Sequence, residues 1–182
     1  IDPFLREVFI PDKGFIFISA DLKGADALTV AYLSGDEAYI QANREGVHEI
    51  VVETAWGSRE KAKEKFSERY TYRDLAKRMA HGSNYCGTAK TIASEIEIPT
   101  KIVEEFQKKY FKKFPRLLEW QSATAKELST DEVLYTPLGR RRKFHGRSWD
   151  DATIREAMAY RPQSHVGDIT KMAFYNMWLN ED

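Results

Sequence analysis

Thr71-Tyr72-Arg73-Asp74-Leu75-Ala76-Lys77-Arg78-Met79-Ala80-His81-Gly82-Ser83-Asn84-Tyr85-Cys86-Gly87 is the stretch on which the reading of this chain turns. Thr71, with Asp74 three residues later, has the form of a capping box, so a helix is predicted to start there and run through Lys77 and His81 towards Tyr85. Gly82 and Gly87 weaken that helix near its end. Arg73, Lys77, His81 and Tyr85 are spaced four apart, and each step of four turns about 40° beyond a full revolution. All four therefore share roughly a third of the circumference. Two cations followed by two flat rings suit a ligand with phosphates at one end and a base at the other. An ordinary basic face on an amphipathic helix is the alternative.

Upstream, Asp12-Lys13-Gly14 is a turn signal, and Phe15-Ile16-Phe17-Ile18-Ser19-Ala20 is an apolar run that predicts a buried strand ending at Asp21. A carboxylate at a strand end emerges from a core towards a cleft, where Asp21 could hold Mg²⁺ through hard oxygen; capping the next helix is its other reading. Asp26, five residues on, lies near the same cleft. Helices are expected from Ala25 to Leu33, stopped by Ser34-Gly35-Asp36, and from Val47 to Trp56, closed by Gly57. Residues 59–69 are almost all charged and read as a solvated helix or loop.

Downstream, a helix is expected after Pro99-Thr100, with Val103, Phe106, Tyr110 and Phe114 on one stripe that belongs to the core. Pro115 breaks the pattern, and Leu117 to Leu128 resumes it. Val133-Leu134-Tyr135 and Arg141 to Phe144 flank Thr136-Pro137-Leu138-Gly139 as a hairpin. From Asp150 the chain reads helical to Trp178, interrupted near Pro162 and Gly167. Arg140-Arg141-Arg142-Lys143, with His145 and Arg147 nearby, is the densest cationic cluster. It suits contact with a phosphate backbone, or a solvated loop.

Composition sets the outer limits. The 182 residues are 42% hydrophobic and 31% charged, which fits one globular domain or two fused lobes and excludes disorder. No run of about 18 apolar residues exists to span a membrane. The single cysteine, Cys86, excludes an intramolecular disulfide and favours a reducing setting. The histidines at 48, 81, 145 and 165 lack zinc-ligand spacing. Basic and acidic residues, 28 of each, cancel, so charge distribution rather than net charge must guide any nucleic-acid binding. No signal peptide opens the chain. It begins at Ile1, and Ile1 to Phe9 reads as mid-domain sequence, so a fragment or processed product is expected. The fold class is α+β, mainly helical, without internal repeats.

Taken as a set, the motifs resemble the family A DNA polymerases, the DNA polymerase I type, with wording similar to phage-encoded members. Ser19-Ala20-Asp21-Leu22-Lys23-Gly24-Ala25-Asp26 resembles motif A. Arg73 to Lys77, His81-Gly82 and Tyr85-Cys86-Gly87 resemble motif B on the O helix. Gly139-Arg140-Arg141-Arg142 matches a further block. Arg155, followed eight residues later by Gln163 and then Asp168-Ile169-Thr170-Lys171, resembles a fourth.

The resemblance implies a partial palm of short antiparallel strands with a helical fingers subdomain. Residues 1–58 would begin the palm with motif A and start the fingers, 59–130 would form the fingers, and 131–182 would return to the palm. Asp21 and the Leu22 carbonyl would hold two Mg²⁺ ions. Arg73, Lys77, His81 and Tyr85 would bind the incoming dNTP, with Asp26 guarding the ribose 2′ position. Arg140, Arg141, Arg142, Arg155 and Gln163 would contact primer–template DNA. The implied activity is DNA-directed DNA synthesis in the cytoplasm of a bacterium or phage-infected host.

The departures are specific. His81 stands where the family has Phe or Tyr, Asp26 is one methylene shorter than the family's Glu, Leu22 lacks a ring and Ala80 replaces an Asn. Ser164-His165-Val166-Gly167 also differs from the family's pattern. The family's second metal-binding Asp lies in a His-Asp-Glu turn, and no His-Asp pair occurs here, so the chain is expected to need the remainder of the polymerase. A single-subunit RNA polymerase fragment and a non-catalytic helical nucleic-acid-binding module are the rival readings; the acidic residue at Asp26 argues against the first.

Overall fold

Capping chemistry written into the sequence sets many of the helix boundaries in the computed structural model, which describes residues 3–179. A short helix α1 covers Pro3–Arg6, followed by α2 at Ala25–Ser34, α3 at Glu37–Glu45 and α4 at Val47–Trp56. After a 3-10 turn at Glu60–Lys63 come α5 at Tyr72–Asn84, α6 at Ala89–Ile96, α7 at Thr100–Lys113 and α8 at Arg116–Asp131. Strands β1 at Val133–Tyr135 and β2 at Arg141–Lys143 precede the long α9 at Asp151–Leu179. The expected α+β, mainly helical class is what the chain adopts.

Helix α5 begins as its capping box requires. The Asp74 amide donates to Thr71 Oγ1 at 3.1 Å, and the Thr71 amide donates back to Asp74 Oδ2 at 3.2 Å. Two backbone donors at the helix start are thereby satisfied. Asp36 does the same for α3, accepting from the Tyr39 amide at 3.0 Å, and its other carboxylate oxygen accepts from the Arg116 amide at 3.1 Å. That second bond ties the start of α3 to the start of α8.

The core forms around the apolar stripe of α7. Val103, Phe106, Tyr110 and Phe114 are all buried, packed with Tyr39, Leu75, Met79 and Leu117 in one cluster. Phe106 and Tyr110 stack with ring centroids 5.4 Å apart, and Tyr39 meets Phe114 at 4.8 Å. Each such side chain contributes about 1.5–3 kcal/mol through burial. A smaller cluster of Leu128, Leu134, Phe144, Ala157 and Tyr160 lies under the hairpin. Strands β1 and β2 pair antiparallel with Leu134 opposite Arg142. Helix α9 packs on both α2 and α8, so an early helix and the last one lie side by side.

Two expectations are corrected. Residues 15–20 form no strand, and Phe15, Ile16, Phe17 and Ile18 are 63–81% exposed. A strand is stable only when neighbours satisfy its amides and cover its face, and among the described residues none pairs with this run. Nor is α9 interrupted near Pro162 and Gly167; it is continuous with Pro162 inside. A proline removes one helical hydrogen bond, and here tertiary contacts anchor the turn just before it. The Tyr160 hydroxyl donates to the Arg140 carbonyl at 2.8 Å, and Arg161 Nε donates to the Tyr135 carbonyl at 2.8 Å. Helices α3 and α6 form where the sequence reading assigned none. Residues 1–2 and 180–182, part of the outer segments of the expected domain division, lie outside the described residues.

Candidate functional site

Gly24 takes a left-handed conformation (φ 65°, ψ 19°) that turns the exposed approach segment into α2, placing Asp21 and Leu22 before the turn and Asp26 in the first helical turn. These residues line one side of a cavity of about 370 Å³. His48 of α4 and Lys77 and His81 of α5 line it as well, together with Tyr39, Ala80 and Asn84. The motif at the start of α2 and the middle of α5 thus converge on one space.

The convergence is held by polar contacts. The Tyr85 hydroxyl donates to Asp26 Oδ1, and His81 Nδ1 lies 3.3 Å from Asp26 Oδ2. The His81 and Tyr85 rings meet edge to face, centroids 4.9 Å apart at 79°. Burial raises the Asp26 carboxyl, but the hydrogen bonds from His81 and Tyr85 and the charge of His81 outweigh it and hold it below the usual carboxylate range. Burial and the Asp26 charge push the Tyr85 phenol far up, so it remains a donor.

A buried amide network fixes the end of α5 behind this contact. Asn84 Nδ2 donates to the Tyr39 hydroxyl at 3.0 Å, and the Tyr110 hydroxyl donates to Asn84 Oδ1 at 2.9 Å. Gln121 Nε2 donates to the carbonyls of Ser83 (2.8 Å) and Asn84 (3.0 Å), and Gln107 Nε2 to that of Gly87 (2.9 Å). Side chains from α3, α7 and α8 thus position Tyr85.

The four residues spaced along α5 do not present one uniform ligand surface. Lys77 and His81 line the cavity, whereas Arg73 donates through Nε to Glu49 of α4 at 2.8 Å. Tyr85 is buried beside Asp26. Asp21 and Leu22 are exposed at the cavity edge. The arginine cluster sits on the hairpin, with Arg140 paired to Asp168 and Arg142 to Glu156. Arg141 is exposed and makes no salt bridge among the described residues. Arg155 is half-buried and Gln163 exposed, both on α9; neither lines the cavity.

His48 is a titratable cavity residue that the sequence reading missed. Burial first, then the Arg73 and Lys77 cations, lower its pKa against the opposing pull of Glu49. Its Nδ1 is buried without a hydrogen-bond partner among the described residues. No spacing signal marks it, because its neighbours in the site come from α2 and α5.

For a metal the donor set is incomplete. Asp21 supplies one hard carboxylate, but among the described residues no group of three or more His, Cys, Asp or Glu is arranged to hold an ion. One carboxylate and a backbone carbonyl do not by themselves clamp two cations.

Residues 3–180 match DNA polymerase family A. The chain is 28% identical over 182 residues to the thermostable DNA polymerase I of Thermus aquaticus, covering 96% of this chain and 21% of that protein. It is 27% identical over 179 residues to the DNA polymerase of Mycobacterium phage D29, covering 95% of this chain and 27% of the relative. The POL domain of Pol1 from M. smegmatis, in complex with DNA primer-template and dNTP, superimposes with a TM-score of 0.72 at 24% identity, covering 84% of this chain and 27% of that one. The chain thus spans about a fifth to a quarter of the length of these relatives. No helix among the described residues is long and apolar enough to cross a membrane. With the family match running over almost the whole sequence, the chain belongs to DNA polymerase family A.

Proposed function

We propose that this chain forms the nucleotide-binding part of a DNA-directed DNA polymerase, which transfers a nucleotide from a dNTP to a primer 3′ hydroxyl. The observation that carries the reading is the single cavity lined by Asp21, Asp26, Lys77 and His81, with Tyr85 bonded to Asp26 behind it. Residues 1–58 begin the palm with motif A and start the fingers, 59–130 form the fingers and 131–182 return to the palm, a division supported by the packing of α9 on α2.

Lys77 offsets the charge of the triphosphate in a partly water-excluded space. Arg73 reaches the phosphates by exchanging its Glu49 partner for a stronger anion. His48, neutral with an unpartnered Nδ1, offers a further polar contact at the cavity wall. Asp26 occupies the ribose 2′ side and excludes a hydroxyl there. Divalent cations, Mg²⁺ in this reading, would activate the primer hydroxyl and neutralise departing pyrophosphate. Asp21 and the Leu22 carbonyl would hold them together with carboxylate from elsewhere in the polymerase. Arg140, Arg141, Arg142, Arg155 and Gln163 contact primer–template. The exposed apolar run 15–18 and the end of α9, where Phe174, Tyr175 and Trp178 are exposed, suit packing by the remainder of such a polymerase.

The test is primer–template affinity of the complete polymerase carrying this chain, with and without Mg²⁺ and the complementary dNTP. Tightening with the complementary nucleotide alone supports a polymerase. Unaltered affinity would instead identify a non-catalytic nucleic-acid-binding module, and equal tightening by ribonucleotides an RNA polymerase-like site.

A further inference from the structure

Asp26 is held at both oxygens. Tyr85 donates to Oδ1, which alone would leave the carboxylate free to swing about its Cβ–Cγ bond, and the His81 Nδ1 contact on Oδ2 removes that freedom. The second contact matters because the Asp26 side chain is 36% exposed, so water competes for any oxygen left open. It matters further because Asp has one methylene fewer than Glu, and a short carboxylate fills a given position only when its rotamer is fixed. His81 in the last turn of α5 and Tyr85 just past its end pack edge to face, so each ring also sets the other's position. With Nδ1 3.3 Å from Asp26 Oδ2, the imidazole faces the carboxylate first, and is a stacking surface only through its exposed part.

We propose that His81 is a specificity-determining positioning residue: by holding the Asp26 carboxylate against the ribose 2′ side together with Tyr85, it sets the discrimination between deoxyribo- and ribonucleotides. This rests on the polymerase reading above. Asp26 is the group that meets the sugar, and His81 acts through it.

The test is the ratio of ribo- to deoxyribonucleotide incorporation efficiency in the complete polymerase, for the native residue, His81→Phe and His81→Asn, each with Asp26 intact or replaced by Ala. Phe keeps a ring and removes the donor, whereas Asn keeps a donor close to the Nδ1 position. His81→Phe should raise the ratio about tenfold, the scale of a hydrogen bond to a charged group. His81→Asn should stay within about threefold of native, on the same scale. In the Asp26→Ala background, His81→Phe should leave the ratio unchanged, because the group it positions is gone. An unchanged ratio in the single His81→Phe variant would overturn the assignment, as would an equal rise with and without Asp26, or failure of Asn to preserve selectivity. If the native polymerase extends no primer with dNTP, the polymerase reading fails and this inference with it. If extension is normal and only the ratio is insensitive to His81, the assignment alone fails.

Discussion

The hydroxyl of Tyr85 donates a hydrogen bond to the carboxylate of Asp26, joining the end of α5 to the start of α2 across 59 residues of chain. Its acceptor is a carboxylate whose folded-state pKa lies below its ordinary value. A depressed carboxylate pKa contributes stability that is fully present above the unfolded value, about 3.9, and is lost as pH falls through the folded value. Tyr85→Phe should therefore raise the Asp26 pKa, move that loss to higher pH, and cost about 1–2 kcal/mol at neutral pH. Asp26→Asn should remove the component altogether and flatten the acid side of the curve. Urea midpoints between pH 2.5 and 7 check both; parallel curves for native and Tyr85→Phe would show that the bond does not contribute.

Asn84 is 1% exposed and joins the hydroxyls of Tyr39 and Tyr110. Asn84→Leu removes a hydrogen-bond partner from two buried phenols at once, and a buried group left unsatisfied costs about 1–3 kcal/mol. A total loss of about 2–4 kcal/mol is expected on that basis, against about 1 kcal/mol for Tyr110→Phe, which removes one hydroxyl and leaves Asn84 bonded to Tyr39. Chemical denaturation of the two variants separates the cases. Equal losses would mean that the network is not centred on Asn84.

Gly87 sits where α5 ends and the chain turns towards α6. Its amide donates to the Gly82 carbonyl at 2.8 Å, and a Cβ added there would lie 2.8 Å from that same oxygen. A backbone carbonyl at a helix end has no rotamer with which to move aside, so Gly87→Ala must shift the turn that follows Tyr85. A loss of about 1–3 kcal/mol is expected from such overpacking. Gly57→Ala has open space around its Cβ and loses stability only through its left-handed φ, serving as the comparison for thermal melting.

Asp21 and Lys77 line the same cavity and should fail differently when replaced. In the complete polymerase, Asp21→Asn is expected to abolish turnover with primer–template affinity nearly unchanged, because in the proposed role its charge acts in the transition state rather than on DNA. Lys77→Ala should weaken nucleotide binding as well as slow the reaction, since an ammonium beside phosphates acts in both states. Single-turnover rates against dNTP concentration distinguish the two, and near-native turnover by Asp21→Asn would reduce that residue to a local structural role.

Local chemistry made much of this legible, and non-local pairing made the rest opaque. The capping box from Thr71 to Asp74 and the stripe from Val103 to Phe114 are decided within one or two turns, and both appear as read. The apolar run at 15–18 carries the right residue types for a strand, but strand formation depends on a partner that no local pattern supplies. Pro162 signals a break, yet α9 continues because Tyr160 and Arg161 are anchored to the hairpin, an interaction spanning 20 or more residues. The motif residues around the cavity were identifiable from their resemblance to a family. His48 and the His81–Asp26 contact were not, since both depend on how α4 and α5 face α2.

The arginines of the hairpin differ in how much charge they leave for a phosphate. Arg140 donates through Nε to both Asp168 oxygens at 3.0 Å, and Arg142 is paired with Glu156 while lying 4.9 Å over the Phe144 ring. Burial raises the Asp168 carboxyl less than the Arg140 hydrogen bond lowers it, so that partner stays ionised. Arg141 between them is exposed with no such partner among the described residues. A cation already neutralised by a carboxylate gives up that contact when it meets DNA, whereas a free one displaces a counterion from the duplex at no such cost. Arg141→Ala in the complete polymerase should therefore weaken primer–template binding at low salt and reduce the slope of log affinity against log salt by about 0.9. Arg140→Ala should change the slope less and instead lower thermal stability, because it also frees the Asp168 side chain of α9. Equal slopes for native and Arg141→Ala across a salt titration would place Arg141 outside the phosphate contact and leave DNA binding to other residues.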